Sequence, residues 1–396
     1  MSVSRKVDKD MTRASWIRRM FEQGEKLKRE YGRESVFDFS LGNPILEPPK
    51  EVLDVLLDLV SNPPAGLHRY MANAGDLQTR QSIADYLGDV HKTVFSPHDV
   101  IMTNGAAGGL NVALKALLDP GDEVVVVSPF FTEYGFYVDN HGGKLVEARS
   151  SDDFDLDPDE IERTVGPRTK AVIINSPNNP TGRLYSEQSL LQLARVLERK
   201  QSIHGHVITL ISDEPYRKIV YDGLEVPSVF SVYPNTILIV SHSKDLGLAG
   251  ERIGYAAISP THRNRSELES VMTFVNRTLG FVNAPALFQK VVARCQDASV
   301  PVKVYQELRD LFCDILDKAG LEYFRPQGAF YLFPKTPIED DVKFVNMLLK
   351  ERLLAVPGSG FGRPGYMRLS FCVTRQEILD ASDVLHRVAQ SAREGA

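Results

Sequence analysis

Cysteine is scarce in this chain. Cys295, Cys313 and Cys372 are odd in number, far apart, and form no Cys-x-x-Cys pair. That speaks against a disulfide scaffold and predicts three reduced core thiols in a cytosolic protein. Long apolar runs are also missing. None approaches the roughly 18 residues that a membrane-spanning helix needs, so no membrane partner is expected. The first residues, Met1 to Arg13, are charged and have no apolar signal core, and they read as a flexible lead-in. An excess of positive charge is absent: 46 Lys and Arg stand against 52 Asp and Glu, a net charge of −6. That balance argues against a nucleic-acid or polyanion binder, while leaving room for one basic pocket. No histidine pair has helix-face metal spacing, and His204-x-His206 reads as the approach to a strand, so no metal site is expected. There is no internal repeat and no low-complexity segment.

What the chain does have is enough apolar content, 43%, for a sizeable core, with an ordinary 25% of charged residues. Its 396 residues allow roughly two to three domain units. Trp16, Ile17, Met20, Phe21 and Leu27 carry amphipathic spacing, which predicts a helix over 14–31. Continuous apolar runs at Val124–Val127, Ala171–Ile174, Val207–Ile211 and Ile237–Val240 suit strands buried on both faces of a parallel sheet. Helical segments near 106–118, 133–141 and 186–199 lie between them. The alternation predicts a three-layer α/β/α domain with a mostly parallel sheet over 47–285. From 286 to 396 the pattern changes to a smaller α+β domain. It has helices at 300–319 and near 341–352, strand-like Ala329–Phe333 and Tyr366–Phe371, and a capping box at Thr374–Glu377. Residues 1–46 form an N-terminal arm that completes the small domain.

The chemistry gathers after the strands. Ser241-His242-Ser243-Lys244 follows one apolar run, and Arg252 stands eight residues beyond Lys244. Asp213 and Tyr216 follow another run, in Asp213-Glu214-Pro215-Tyr216, and Asn179-Pro180-Thr181-Gly182 follows a third. Ligands of open α/β sheets bind at the carboxyl ends of strands, so motif placement and topology agree. A lysine can form a Schiff base with an aldehyde, an arginine fork can hold a phosphate, and a carboxylate can pair with a pyridinium nitrogen. Together these are the demands of pyridoxal 5'-phosphate.

The ordered set Tyr70, Gly105, Asn179, Asp213, Tyr216, Lys244, Arg252 and Arg368 resembles the fold-type I pyridoxal-phosphate enzymes, specifically the class I/II aminotransferases of aspartate-aminotransferase type. The resemblance runs from Gly42-Asn43-Pro44 to Met367-Arg368-Leu369. It implies an aminotransferase that moves the amino group of an L-amino acid to a 2-oxo acid by a ping-pong route. It implies Lys244 as the aldimine lysine and proton shuttle. Asp213 would keep the ring nitrogen protonated, and Asn179 and Tyr216 would hydrogen-bond the cofactor's phenolic oxygen. The phosphate site would be Gly105-Ala106-Ala107 at a helix N-terminus with Ser241, Ser243 and Arg252. Phe131 would stack on the ring, Arg368 would take the substrate carboxylate, and Gly42 would allow close backbone approach to substrate. Tyr70 would reach the phosphate of a neighbouring subunit, which implies a homodimer with shared active sites.

The chain departs from its relatives at two points. Many carry hydroxyl side chains where this one has Gly105 and Ala107, and one aspartate-using branch places a lysine near Ala107. Arg18, Arg19 and Arg69 are other cations that could meet an acidic substrate, although each reads more simply as a solvated charge. Two further functions remain open from the motifs: a pyridoxal-phosphate lyase acting by β- or α,γ-elimination, and a cofactor-sensing regulatory protein. Gly358-Ser359-Gly360-Phe361-Gly362 is not a dinucleotide loop, because Arg363-Pro364-Gly365 follows it where a helix should start.

Overall fold

The computed structural model describes residues 3–12 and 16–395, apart from the side chains of Lys9, Thr12, Ile17 and Arg18. The expected helix start at residue 14 and the role considered for Arg18 fall outside that range.

The apolar runs become the centre of a seven-stranded sheet. In spatial order its strands are Val100–Thr103, Gly254–Ile258, Thr236–Ser241, Thr209–Asp213, Thr169–Asn175, Glu123–Ser128 and Lys144–Arg149. All neighbours are parallel except Gly254–Ile258, which runs antiparallel to both of its own. The direction of that strand has a consequence for the site. Gly254 pairs with Thr103 on one side and Ser241 on the other, so its start lies level with their ends. Arg252, just before this strand, therefore reaches the same sheet edge as the residues that follow the parallel strands. Val124–Val127, Ala171–Ile174 and Ile237–Val240 are buried because helices cover both faces.

The helices Gly105–Leu117 and Glu133–Asn140 match their expected positions, while Glu187–His204 runs longer than its pattern. His204 ends that helix and Gly205 caps it in the left-handed region, so the following strand starts at Thr209. The His-x-His pair thus straddles a helix end instead of opening a strand. Ser186 and Asp157 cap their helices by accepting backbone N–H bonds.

A second apolar cluster unites Phe312, Leu316, Phe330, Phe344, Leu354 and Leu385 with Met20, Val36 and Phe39 of the N-terminal arm. Its antiparallel sheet has the order Val356–Pro357, Met367–Ser370, Tyr331–Leu332. The arm adds Phe37–Asp38 in parallel to Leu353–Leu354, and the Phe39 carbonyl accepts from the Ser370 N–H. Thr374 and Glu377 form the expected reciprocal capping box. The lead-in contains a helix, Arg5–Thr12, in place of the expected flexible segment. Lys6 ties it to Asp139 with a 2.7 Å ion pair. No helix among the described residues is long and apolar enough to cross a membrane.

Candidate active site

A cavity of about 350 Å³ lies where the strand ends meet the antiparallel cluster. Gly42, Ala106, Ala107, Phe131, Asn179, Asp213, Tyr216, Ser241, Ser243, Lys244, Arg252 and Arg368 all line it. Of the sequence-derived residues, Gly105 and Tyr70 do not. Gly105 lies just beneath: a Cβ there would come within 3.0 Å of the Arg252 guanidinium, and its φ of +67° favours glycine. Tyr70 is 94% exposed, and one chain alone does not bring it to this cavity.

One end is built for an anion. The N-terminus of Gly105–Leu117 opens onto it. The Ser241 and Ser243 hydroxyls stand 2.6 Å apart, and the Ser243 N–H donates to Ser241 Oγ, so a four-residue helical turn fixes both. Arg252 donates to the Ala249 carbonyl at 3.0 Å, and its φ of +53° is strained for a residue with a side chain. That turn carries the guanidinium over Gly105.

At the sheet edge Asp213 closes its strand. The Tyr134 hydroxyl donates to Asp213 Oδ2 at 2.6 Å, and Asn175 Nδ2 donates to the Asp213 carbonyl at 2.7 Å. Oδ1 is buried without a partner. Burial pushes the Asp213 carboxyl up to about 7, against the lowering effect of Tyr134 and with a smaller upward push from Glu214. A cationic ring nitrogen beside Oδ1 would reverse that. Phe131 meets Tyr134 edge-on, with ring centroids 5.6 Å apart.

Lys244 Nζ donates to the Gly42 carbonyl at 3.1 Å and lies 5.4 Å from the Phe330 ring centre. Burial lowers its pKa to about 8, with Arg252 and Arg368 adding to the effect and Cys372 opposing it. Arg368 is buried and lies 4.6 Å from the Tyr331 ring centre. It donates to Asn179 Oδ1 at 3.0 Å and to the Ser40 carbonyl at 2.5 Å. Its Nε has no partner, and among the described residues no carboxylate pairs with it. Tyr216 and Tyr331 hydroxyls meet at 3.1 Å.

Three polar lining residues escaped sequence reasoning. Tyr331 sits in the strand-like run Ala329–Phe333, where alternation gives no hint that its hydroxyl turns to the site. A Cβ on Gly42 would lie 1.9 Å from that hydroxyl, so Gly42 also makes room for Tyr331. Asn175 holds Asp213 and Asn179 together, since its Oδ1 accepts from the Asn179 N–H at 2.7 Å. Tyr137 lines the cavity one helical turn beyond Tyr134.

These residues fit pyridoxal phosphate: an anion cradle, an unpartnered buried carboxyl oxygen for the ring nitrogen, an aromatic wall and a lysine of lowered basicity share one cavity. A family model described as aminotransferase class I and II matches residues 34–385. Aspartate aminotransferase of Thermotoga maritima is 35% identical over 88% of this chain and 90% of its own. A solved aminotransferase structure from Eubacterium rectale superposes with a TM-score of 0.95 at 39% identity, covering 99% of each chain. The structure of Thermus thermophilus aspartate aminotransferase with maleate gives 0.87 at 29% identity, covering 98% of this chain and 100% of that one.

Proposed function

The chain belongs to the aminotransferase class I and II family, and from that premise we propose how its cavity moves an amino group from an L-amino acid to a 2-oxo acid. The observation that carries the reading is the convergence of Lys244, Asp213 and the acid-free Arg368 on one cavity. Pyridoxal phosphate, when bound, supplies an aldehyde to receive the amino group and a ring to take up electrons from the substrate's α-carbon. The remaining work belongs to the chain. Arg252, Ser241, Ser243 and the helix N-terminus would hold the phosphate. Asp213 Oδ1, its carboxylate fixed by Tyr134 and its backbone by Asn175, would keep the ring nitrogen protonated. Phe131 would pack on the ring, and Asn179 and Tyr216 would hydrogen-bond its phenolic oxygen. Arg368 clamps the substrate carboxylate through its guanidinium, oriented by Asn179 and the Ser40 carbonyl. That clamp would present the α-hydrogen to Lys244, whose lowered basicity suits it to take the proton from the α-carbon and return it elsewhere.

The same reading extends to assembly. Tyr70 and Phe274 are exposed on segments tied together by Asn73, whose Nδ2 donates to the Val282 carbonyl and whose own carbonyl accepts from Asn276 Nδ2. We infer a homodimer in which a second copy covers this face and Tyr70 reaches its partner's phosphate site; the exposure of both rings supports it. Three apolar clusters, one joining the arm to the C-terminal part and two within the sheet domain, support a division into an arm over 1–46, a large domain over 47–285 and a small domain over 286–396, although Val291, Val292 and Cys295 pack with the large domain. Three buried free cysteines support a reducing, cytoplasmic setting.

Adding one L-amino acid to the cofactor-loaded protein, with no oxo acid, tests the function. Stoichiometric pyridoxamine phosphate and the matching oxo acid are expected. Release of free ammonia would instead mean elimination. Light scattering should find a dimer, and a fully active monomer would remove the role given to Tyr70.

A further inference from the structure

The phosphate end of the cavity has little hydroxyl chemistry of its own. Gly105, Ala106 and Ala107 open the helix without one side-chain donor, and the Ser241 and Ser243 hydroxyls are already hydrogen-bonded to each other. Tyr137 lies on the neighbouring helix Glu133–Asn140. It lines the cavity beside Ala106, Ala107, Leu110 and Arg252. Its ring packs partly buried against the apolar layer under the sheet. The packing is fixed one turn further on, where His141 Nε2 and Asn111 Oδ1 meet at 3.1 Å and Asn111 Nδ2 donates to the Ala107 carbonyl at 2.9 Å. The two helices are thus tied at the level below Tyr137. Its hydroxyl has no hydrogen-bond partner among the described residues. Burial raises its pKa, with Glu133 and Asp213 adding to the effect and Arg252 opposing it, so the phenol stays protonated and can donate.

We propose that the Tyr137 hydroxyl donates a hydrogen bond to the phosphate of the bound cofactor, doing from the neighbouring helix what Gly105-Ala106-Ala107 cannot do with side chains. This rests on the reading of the cavity as a pyridoxal-phosphate site. A phenol fixed by packing has little conformational freedom to lose on binding, and a hydrogen bond to an ionised acceptor is about twice as strong as a neutral one.

The experiment is a binding titration of cofactor-free protein with pyridoxal phosphate and, separately, with pyridoxal, which lacks the phosphate. Wild type, Tyr137→Phe and Arg252→Lys are compared by cofactor absorbance. Tyr137→Phe should raise the Kd for pyridoxal phosphate about tenfold, equivalent to losing one charge-assisted bond, and leave that for pyridoxal nearly unchanged. Equal weakening toward both compounds would make Tyr137 a ring contact and overturn the proposal, as would an unchanged Kd for pyridoxal phosphate. If wild type binds neither compound, or prefers pyridoxal phosphate no more than Arg252→Lys does, the assignment of the phosphate end itself falls.

Discussion

Arg309 and Arg368 are both large cations with about 1% of their surface exposed, yet their surroundings solve the burial problem in opposite ways. Around Arg309, in the long helix Val302–Lys318, Asp222 accepts two bonds at 2.6 and 2.9 Å, Asp310 a third at 2.7 Å, and the Pro326 carbonyl a fourth. The Tyr221 ring lies 4.8 Å beneath. Burial would lower its pKa, but the two aspartates outweigh burial and raise it. Around Arg368, among the described residues, stand neutral oxygens and the rings of Tyr331 and Phe361 with no carboxylate, and burial lowers its pKa. A buried charge whose counter-charge is inside the protein is part of the structure. One whose counter-charge is missing is a site waiting for an anion. Lys244 shares the second situation, with a carbonyl and an aromatic face in place of an acid.

The largest effect should come from the cavity side of this comparison. Lys244→Ala is expected to lower the amino-group transfer rate by about 10⁴-fold, the upper range for a positioned proton carrier. Binding of pyridoxal phosphate through the phosphate end should persist. Borohydride treatment and peptide mass analysis of wild type should put the cofactor's mass on Lys244, and label on another lysine would overturn the assignment.

The same substitution at the two arginines sharpens the contrast. Arg368→Lys should reduce kcat/KM for amino acids about 10²-fold, because the planar fork is lost, and should hardly affect an amine without a carboxylate. Its Tm should change little. Arg309→Lys should do the reverse, leaving kcat/KM intact and lowering Tm by about 2–4 °C. Equal loss with both substrates at Arg368, or lost activity at Arg309, would break the distinction.

The smallest effect is a pH signature of cofactor-free protein. Asp213 holds its proton to about 7 in the fold, against a reference of 3.8. The folded state therefore binds more protons between those values, and stability falls as pH rises through them. Lys244 gives up its proton near 8, against 10.5 in the unfolded chain. There the unfolded state binds more protons, and stability rises with pH. Asp213→Asn should flatten the first slope and Lys244→Met the second, as read by urea midpoints across pH.

Much of the site was legible along the chain, because its residues follow strands that buried apolar runs announce. Asp213, Ser241 and Lys244 needed only strand ends to be found, and those ends are marked by a switch from Ile and Val to polar residues. The strand Gly254–Ile258 gave no such signal: its glycine and alanines make a weak apolar run, although its antiparallel direction is what carries Arg252 to the site. Tyr331 and Asn175 were missed, and Tyr134 given no role, for a related reason. Their types are common in cores and turns, and only a partner distant in sequence reveals them, as Asp213 does for Tyr134. Tyr137 is shown only by its place in the cavity wall. The helix Arg5–Thr12 was missed because its polar composition reads as an unfolded lead, while Lys6 finds Asp139 across 133 positions.

By itself the sequence determined the sheet's buried strands, the family resemblance and the identity of the chemical groups, because period, composition and motif order are local properties of the chain. Only the tertiary structure decided which groups share a cavity, which oxygen of Asp213 is left open, and which of two equally buried arginines lacks an acid. Burial and counter-charge depend on what folds back from elsewhere, and no local pattern records that.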